Sequence, residues 1–192
     1  MCEAAGMTTR HIALLRGINV GGVRISMAQQ RDLAEALGFT DVRVHLRTGN
    51  IVLSAPGDAT PAQVAAALTA RIEADYGVPV PVVTRTPPEL AAELAANPYP
   101  EATDVPASLH CVFLSAPPDA AVRGALDALG AEPPGTPDSF RLLDRTLYLH
   151  CPDGIGRSKL AARVIRAVER GGVTATARNW NTATRLLALA RN

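Results

Sequence analysis

Two short stretches near the end of the chain combine charged, hydroxyl and amide groups that would suit an anionic ligand. Arg157-Ser158-Lys159 stands at the predicted start of a helix, with Gly154 and Gly156 just before it. Free backbone N–H groups and the helix dipole favour negative charge there, and cations oppose the dipole unless an anion is bound. The stretch is consistent with an anion site and equally with a solvated helix start. It is not a P-loop, because Leu160 stands where that motif has Ser or Thr.

The second stretch is Arg178-Asn179-Trp180-Asn181-Thr182, which contains the only tryptophan of the chain. It has a good structural interpretation: Asn181 caps the final helix, Asn179 makes a turn, and Trp180 fills the gap between sheet and helix. We favour that interpretation for Asn181 and Trp180. Arg178 directly follows a predicted strand, and we expect it to lie beside the Arg157–Lys159 loop.

A third group of polar residues lies early in the chain, in a glycine-rich segment at residues 16–22 and a hairpin at residues 47–50. The glycines would let the backbone approach a phosphate, but their spacing matches neither the dinucleotide fingerprint nor a P-loop. They equally suit the positive φ angles of a long turn. The candidate ligand-binding side chains here are Arg16, Asn19, Arg47 and Asn50.

Two His-Cys pairs, His110-Cys111 and His150-Cys151, raise the possibility of a metal site. Alternation along a strand points each histidine and its neighbouring cysteine to opposite faces, so the two cysteines join Leu109, Phe113, Leu147 and Leu149 in a predicted core. Two histidines alone do not hold a metal. We therefore predict no metal and no cofactor. No motif of a nucleophile with its base occurs, so the sequence assigns no catalytic residue and leaves open whether the protein is an enzyme.

Short runs of Val, Ile and Leu alternate with helical patterns in the order β-α-β-β-α-β, and the whole order then repeats. The repeat has an offset of 97 residues, from 50 to 147 and from 61 to 158. This order is typical of a split β-α-β layer, an antiparallel sheet ordered 4-1-3-2 with helices on one face. The predicted fold class is α+β, with two ferredoxin-like subdomains in tandem. The first subdomain comprises residues 8–98 and ends in a trailing helix. The second comprises residues 105–192 and ends in a C-terminal helix.

This topology predicts which loops meet. Strands 1 and 2 run one way and strands 3 and 4 the other. In the first half the loop after strand 1 therefore meets the hairpin between strands 2 and 3, and in the second half the loops after strands 3 and 4 share an end. Facing each other across the joint between subdomains, the two groups would line a ligand cleft. The predicted lining is Arg16, Asn19, Arg47, Asn50, Arg157, Ser158, Lys159, Arg178 and Asn179.

Length and composition set the class of protein. The chain has 192 residues, of which 47% are hydrophobic and 19% charged, and this is typical of one large or two small globular domains. Charged residues, Pro or Gly interrupt every apolar run, which excludes a membrane span. The first residues lack a basic segment followed by an apolar one, so we expect no signal peptide. Three cysteines fit reduced thiols, so we expect a cytoplasmic protein.

The net charge of +1 conceals an asymmetry. The segment from Arg157 onward contains eight cations and one anion, a net charge of +7. The first 156 residues contain 11 cations and 17 anions, a net charge of −6. A basic end on an acidic body indicates an anionic ligand or nucleic acid. The alternative is that arginine, chosen by genome base composition, lines solvated helix faces.

Five motifs resemble those of a bacterial family of unknown function, DUF1697, whose members show A-L-L-R-G-I-N-V-G-G, S-G-N, N-P-aromatic, S-K-L and R-N-W-N-T. The corresponding segments are Ala13–Gly22, Thr48–Asn50, Asn97–Tyr99, Ser158–Leu160 and Arg178–Thr182. Two residues depart from the family's pattern: Thr48 stands where Ser is usual, and Arg47 stands where Gln is common. The resemblance implies a two-subdomain α+β fold with a ferredoxin-like half, and it implies no activity.

We predict from the sequence that the protein binds a phosphate-bearing, nucleotide-like small molecule in the Arg- and Asn-lined cleft. One alternative is a nucleic-acid-binding module that uses the basic end; an aromatic content of 4% argues against a stacking platform but not against backbone binding. The other is a non-catalytic interaction protein. The sequence predicts no membrane partner and does not determine the oligomeric state.

Overall fold

The computed structural model describes residues 7–131 and 137–192. The chain divides into two compact units, the first comprising residues up to 91 together with Leu186–Asn192 and the second comprising Ala92–Arg185. Each unit contains one four-stranded antiparallel sheet. The α+β fold predicted from the sequence, with two sheet subdomains in tandem, is therefore confirmed.

The first sheet has the order β2-β3-β1-β4. Its strands are β1 (Thr8–Leu15), β2 (Thr40–Val44), β3 (Asn50–Pro56) and β4 (Val82–Arg85). The helices that follow β1, β3 and β4 are α1 (Met27–Ala36), α2 (Pro61–Tyr76) and α3 (Pro87–Ala95). The predicted strand order 4-1-3-2 is the observed one read from the β4 edge.

The second sheet repeats this topology with the order β6-β7-β5-β8. Its strands are β5 (Leu109–Leu114), β6 (Ser139–Leu143), β7 (Thr146–His150) and β8 (Ala175–Asn179). The helices are α4 (Ala120–Ala131), α5 (Lys159–Arg170) and α6 (Trp180–Arg191). The sequence predicts a linker at the proline-rich stretch Asn97–Pro106, and this stretch contains a 3-10 turn at Pro100–Asp104.

Local sequence signals explain where the first helices begin and end. Ser26 and Gln29 form a capping box at the start of α1, in which each side chain bonds the backbone N–H of the other residue. Thr60 and Gln63 do the same for α2, which ends at Gly77 in the left-handed conformation. The sequence predicts the Ser26–Gln29 box, and it predicts the start of α2 at Thr60 and its end at Gly77; the structure confirms all three.

Each sheet packs two helices on one face, α1 and α2 in the first unit and α4 and α5 in the second. There the apolar side chains of alternate strand positions meet the buried stripes of the helices. In the first unit that core includes Ala13, Leu15, Leu53, Leu68 and Ile72. In the second unit it includes Val112, Leu147, Leu149, Val164 and Val168. The opposite face of each sheet is buried as well, including Ile12 and Leu14 in the first unit and Tyr148 in the second.

In the described ranges 7–131 and 137–192, no helix combines the length and the apolar composition that crossing a bilayer requires.

Candidate functional site

The loop after β1 and the hairpin between β2 and β3 come together at one end of the first sheet, as strand direction predicted. The Asn19 side chain joins them: its Nδ2 donates to the carbonyl oxygen of Arg47 at 2.6 Å and to that of Ile25 at 2.8 Å. Its Oδ1 accepts from the Ile25 N–H at 3.1 Å. Asn19 has a φ of 58°, a left-handed conformation that Asn tolerates better than most residues. Asn19 therefore holds the two loops in register.

Two more amides complete this scaffold. Asn50 is fully buried, and its Nδ2 donates to the His45 carbonyl at 2.7 Å and to the Thr48 hydroxyl at 3.2 Å. Gln30 of α1 is also fully buried, and its Nε2 donates to the carbonyls of Ile25 and Arg47. Sequence reasoning listed Asn50 as a ligand-binding candidate and missed Gln30. Their amide groups therefore bond atoms of the loops themselves.

Arg16 and Arg47 are exposed at this end of the sheet. The loop at residues 16–26 and the hairpin at residues 45–49 contain no acidic residue, whereas they contain a third exposed cation, Arg24. Val20 and Leu46 are exposed beside them, at 70% and 47%. We call residues 16–26 with 45–49 the first-unit tip, and it presents cations and two aliphatic side chains without a carboxylate.

The hairpin differs from its sequence prediction. The run of apolar residues predicts a strand over Val42–Thr48, but β2 spans Thr40–Val44. Leu46 has a φ of 60° and Gly49 a φ of 83°, so the chain leaves the strand conformation early. Arg47 consequently lies in the turn.

In the second unit, Ser158 is the N-cap of α5 and is buried, and its Oγ accepts from the Ala161 N–H at 2.9 Å. It also hydrogen-bonds the Cys151 thiol. Burial raises the pKa of that thiol, and the hydrogen bond to Ser158 partly opposes the rise. Arg157 and Lys159, on either side of the cap, are exposed. Ser158 thus has a structural role, and the two cations beside it face solvent.

Arg178 lies in β8 and is buried, on the face of the sheet opposite α4 and α5. Its Nη1 donates to the Thr176 hydroxyl and to the Ala177 carbonyl, both at 2.8 Å, and burial lowers the pKa of its guanidinium to about 10. Sequence reasoning missed Arg85, the last residue of β4, which is also buried and donates from Nη1 to the Thr84 carbonyl at 2.9 Å. The internal repeat could have revealed Arg85, because β4 and β8 are corresponding strands. Arg85 is the last residue of β4, and Arg178 is the second-last residue of β8.

The start of α6 corrects one prediction. Asn179, not Asn181, caps this helix: β8 ends at Asn179, and its Oδ1 accepts from the Thr182 N–H at 2.9 Å. Asn181 lies within α6 and is exposed, because the helix begins two residues earlier than the sequence pattern indicated.

Strand register places the remaining candidates at one end of the second sheet. His150 of β7 pairs with Leu109, and Asn179 of β8 pairs with His110, so β7 and β8 end side by side around the start of β5. The segment after β7, which carries Arg157–Lys159, and the last residue of β8, Asn179, share that end. Arg178, which was predicted to follow the strand, is instead buried within β8. A single cleft lined by the candidates of both units stays a prediction.

The two cysteines are both buried, but their predicted common core is wrong. Cys151 belongs to the core under the helices with Leu149, whereas Cys111 pairs with Tyr148 and lies on the other face. Residues that pair directly across two strands point to the same face, so Cys111 shares the face of Tyr148. Successive residues alternate between faces, so Leu149 and Cys151 point to the opposite face. Within residues 7–131 and 137–192, no group of three or more His, Cys, Asp or Glu residues could hold a metal ion.

Two grooves open on the helix-bearing side of the second unit. One, of about 320 Å³, lies between α4 and α5 and is lined by Ala125, Leu129, Arg163, Arg166, Ala167 and Arg170. The other, of about 370 Å³, lies between α4 and the edge strand β6 and is lined by Arg123, Leu126, Asp127, Gly130, Phe140, Arg141 and Leu142. Sequence reasoning named neither groove, because each combines residues from elements that are distant in the chain.

A solved structure has the same fold. The conserved bacterial protein SP0830 from Streptococcus pneumoniae aligns with a TM-score of 0.73 over 97% of this chain and 100% of its own, at 18% sequence identity. No curated protein sequence is similar enough to count as a match.

The sequence motifs that suggested a family are supported by a family model. The model described as "Protein of unknown function (DUF1697)" matches residues 7–148. That range contains the first unit's sheet with its tip and most of the second sheet. Because the match covers well over half of the chain, the protein belongs to the DUF1697 family.

Proposed function

We propose that this protein binds a phosphate-bearing, nucleotide-like small molecule through exposed cations at the ends of its strands. In the first unit these are Arg16 and Arg47, and in the second unit Arg157 and Lys159. Guanidinium groups suit phosphate because they offer several donors in a fixed planar arrangement.

One observation carries the proposal: the Asn19 side chain bonds the backbone on both sides of the first-unit tip, and the tip has no carboxylate. A loop held by side-chain hydrogen bonds is ordered before the ligand arrives, and this lowers the entropic cost of binding. A cationic surface without carboxylates favours an anion. The two exposed aliphatic residues beside the cations would suit the less polar part of a nucleotide-like ligand.

The test is a thermal-shift measurement with ATP, ribose 5-phosphate and inorganic pyrophosphate. A ligand present at 100 times its Kd stabilises the folded state by about 2.7 kcal/mol, which corresponds to a rise in Tm of about 5–11 °C for a chain of this size. We expect the rise to disappear in either Arg16→Gln/Arg47→Gln or Arg157→Gln/Lys159→Gln, and the affected pair identifies the unit that binds.

The matched control is Arg31→Gln/Arg71→Gln, which removes two cations from α1 and α2, outside both clusters. It should keep the full rise in Tm. If no phosphate compound stabilises the protein, or if the control loses the rise as well, the proposal is wrong.

Nucleic-acid binding is the second candidate function, and the charge distribution favours it. The segment from Arg157 onward carries +7, and its cations, apart from Arg178 in β8, lie on helical segments. Its test is oligonucleotide binding that weakens steeply with added salt. If both kinds of ligand fail to bind, a non-catalytic interaction protein becomes the best interpretation.

A further inference from the structure

The charges of α5 are concentrated on its exposed side. Lys159, Arg163, Arg166 and Arg170 are all exposed, and Glu169 is the only acidic residue of the helix. The opposite side of α5 packs into the core through Ala161, Val164 and Val168. We call these four cations the α5 basic face.

The repeat within the fold provides an internal comparison for this face. Helix α2 occupies the same topological position in the first unit, between the third and fourth strands of its sheet. It carries one cation, Arg71, and two acids, Glu73 and Asp75, and Arg71 pairs with Asp75 at 2.8 Å. The helix position therefore does not require cations for packing or solubility. Genome base composition acts on both helices alike, so it does not explain why one carries −1 and the other +3.

The α5 basic face also borders a concave surface. Arg163, Arg166 and Arg170 line the groove of about 320 Å³ between α4 and α5, whose remaining lining is aliphatic. Among the groove residues that the structure describes, none is acidic. Asp127 of α4 lines the other groove instead. An extended anion lying along the groove would thus meet three guanidinium groups on one side.

The length of the face indicates a polymer. Lys159 and Arg170 are the first and last residues of α5, and a helix of this length spans about 16 Å between them at about 1.5 Å per residue. Along one strand of a duplex, phosphates recur about every 3.4 Å of the axis, so the face spans about five of them. A small phosphorylated molecule would contact only part of this row.

We propose that the α5 basic face binds the phosphodiester backbone of nucleic acid, without reading its sequence. The inference deepens the nucleic-acid candidate function and is independent of the first-unit tip. The contacts are charge-assisted hydrogen bonds from guanidinium and ammonium groups to phosphate oxygens, and such contacts position a strand but carry no base information.

The experiment measures binding of the full chain to fluorescently labelled oligonucleotides of about 20 nucleotides, DNA and RNA, single-stranded and duplex, at several salt concentrations. Four phosphate contacts predict a slope of log K against log salt of about −3.6 for duplex DNA and about −2.8 for a single strand. In Arg166→Gln/Arg170→Gln the duplex slope should fall in magnitude by about 1.8, and affinities for unrelated base sequences should weaken equally.

The control is again Arg31→Gln/Arg71→Gln, which changes the net charge by the same amount on α1 and α2 of the first unit. It should keep the wild-type slope. An equal loss of slope in both double variants would mean that net charge, and not this face, attracts the oligonucleotide. That result, or an absence of salt-dependent binding, overturns the proposal.

The two proposals fail separately. Arg166→Gln/Arg170→Gln should leave any ATP-induced rise in Tm unchanged, because neither residue is among the cations proposed to bind the small ligand. A thermal shift without oligonucleotide binding would support the small-ligand function and reject the α5 site. A base-sequence preference in the oligonucleotide series would also contradict the proposal, since backbone contacts alone do not produce one.

Discussion

Gly49 occupies a position in the first-unit tip where two constraints act together. Its φ is +83°, and a Cβ added there would lie 2.6 Å from the Leu15 Cβ and 3.1 Å from the Ile18 Cδ1. Gly77, which ends α2, has a φ of +72° but no atom within 4 Å of an added Cβ. Gly49→Ala and Gly77→Ala therefore share the backbone cost and differ in the steric cost.

The left-handed conformation costs about 1–2 kcal/mol for a residue other than glycine. Crowding a packed core with one extra carbon costs a further ~1–3 kcal/mol. We expect Gly77→Ala to lower the free energy of unfolding by about 1–2 kcal/mol and Gly49→Ala to lower it by about 2–5 kcal/mol. At about 2–4 °C of Tm per kcal/mol for this chain length, the two variants should be clearly separated.

Urea denaturation of both variants measures the difference, and a constant m-value confirms that the unfolding transition is comparable. Gly49→Ala should also weaken phosphate-ligand binding, because Leu15 directly precedes Arg16 and the Leu15 N–H donates to the Gly49 carbonyl at 2.8 Å. Equal destabilisation by the two alanines would refute the steric argument. It would mean that the hairpin moves freely relative to β1.

Three further predictions concern groups inside the two units. Burial lowers the pKa of His11 and of His110 below the usual 6.5, so protons bind the unfolded state first. The free energy of unfolding should fall as pH drops below about 6.5, by up to about 1.4 kcal/mol per pH unit for each histidine. Replacing either histidine with Gln should reduce the pH dependence of the free energy of unfolding, measured by urea denaturation at several pH values. An unchanged pH dependence would contradict the prediction. Ser158→Ala removes the cap of α5 and should lower the free energy of unfolding by about 1 kcal/mol, measured by urea denaturation. An unchanged free energy of unfolding would mean that water replaces the hydroxyl. Tyr148→Phe removes the 2.5 Å hydrogen bond from the Tyr148 hydroxyl to the Glu93 carbonyl and leaves a partly buried acceptor without it. It should lower the free energy of unfolding by about 1 kcal/mol, measured by urea denaturation; a neutral result would mean that the carbonyl finds another donor.

Several features of the fold could be predicted because their causes are local in the sequence. The Ser26–Gln29 capping box and the Thr60 cap each lie within a single helical turn, so they define the starts of α1 and α2 without a tertiary contact. The order of strands and helices, repeated at a constant offset, leaves few topologies for an antiparallel sheet. That reasoning also predicted that the loop carrying Arg16 meets the hairpin carrying Arg47.

The roles of the polar side chains could not be predicted in the same way. Asn19 and Asn50 were expected to face a ligand, but their amides bond backbone groups of neighbouring loops. Asn179 and Asn181 have the same side chain two residues apart, and only the point where β8 ends decides which of them caps α6. A side chain's partners depend on atoms from distant segments, and composition does not encode those distances.

The sequence by itself determined the duplicated β-α-β-β-α-β order, the first helix caps and the excess of cations from Arg157 onward, because periodicity, caps and charge are properties of neighbouring residues. Only the tertiary structure decided that Arg178 is buried while Arg157 and Lys159 are exposed. It was likewise the tertiary structure that aligned Arg163, Arg166 and Arg170 along one groove. Burial and alignment depend on which faces of the sheets and helices pack together, and that packing joins segments far apart in the chain.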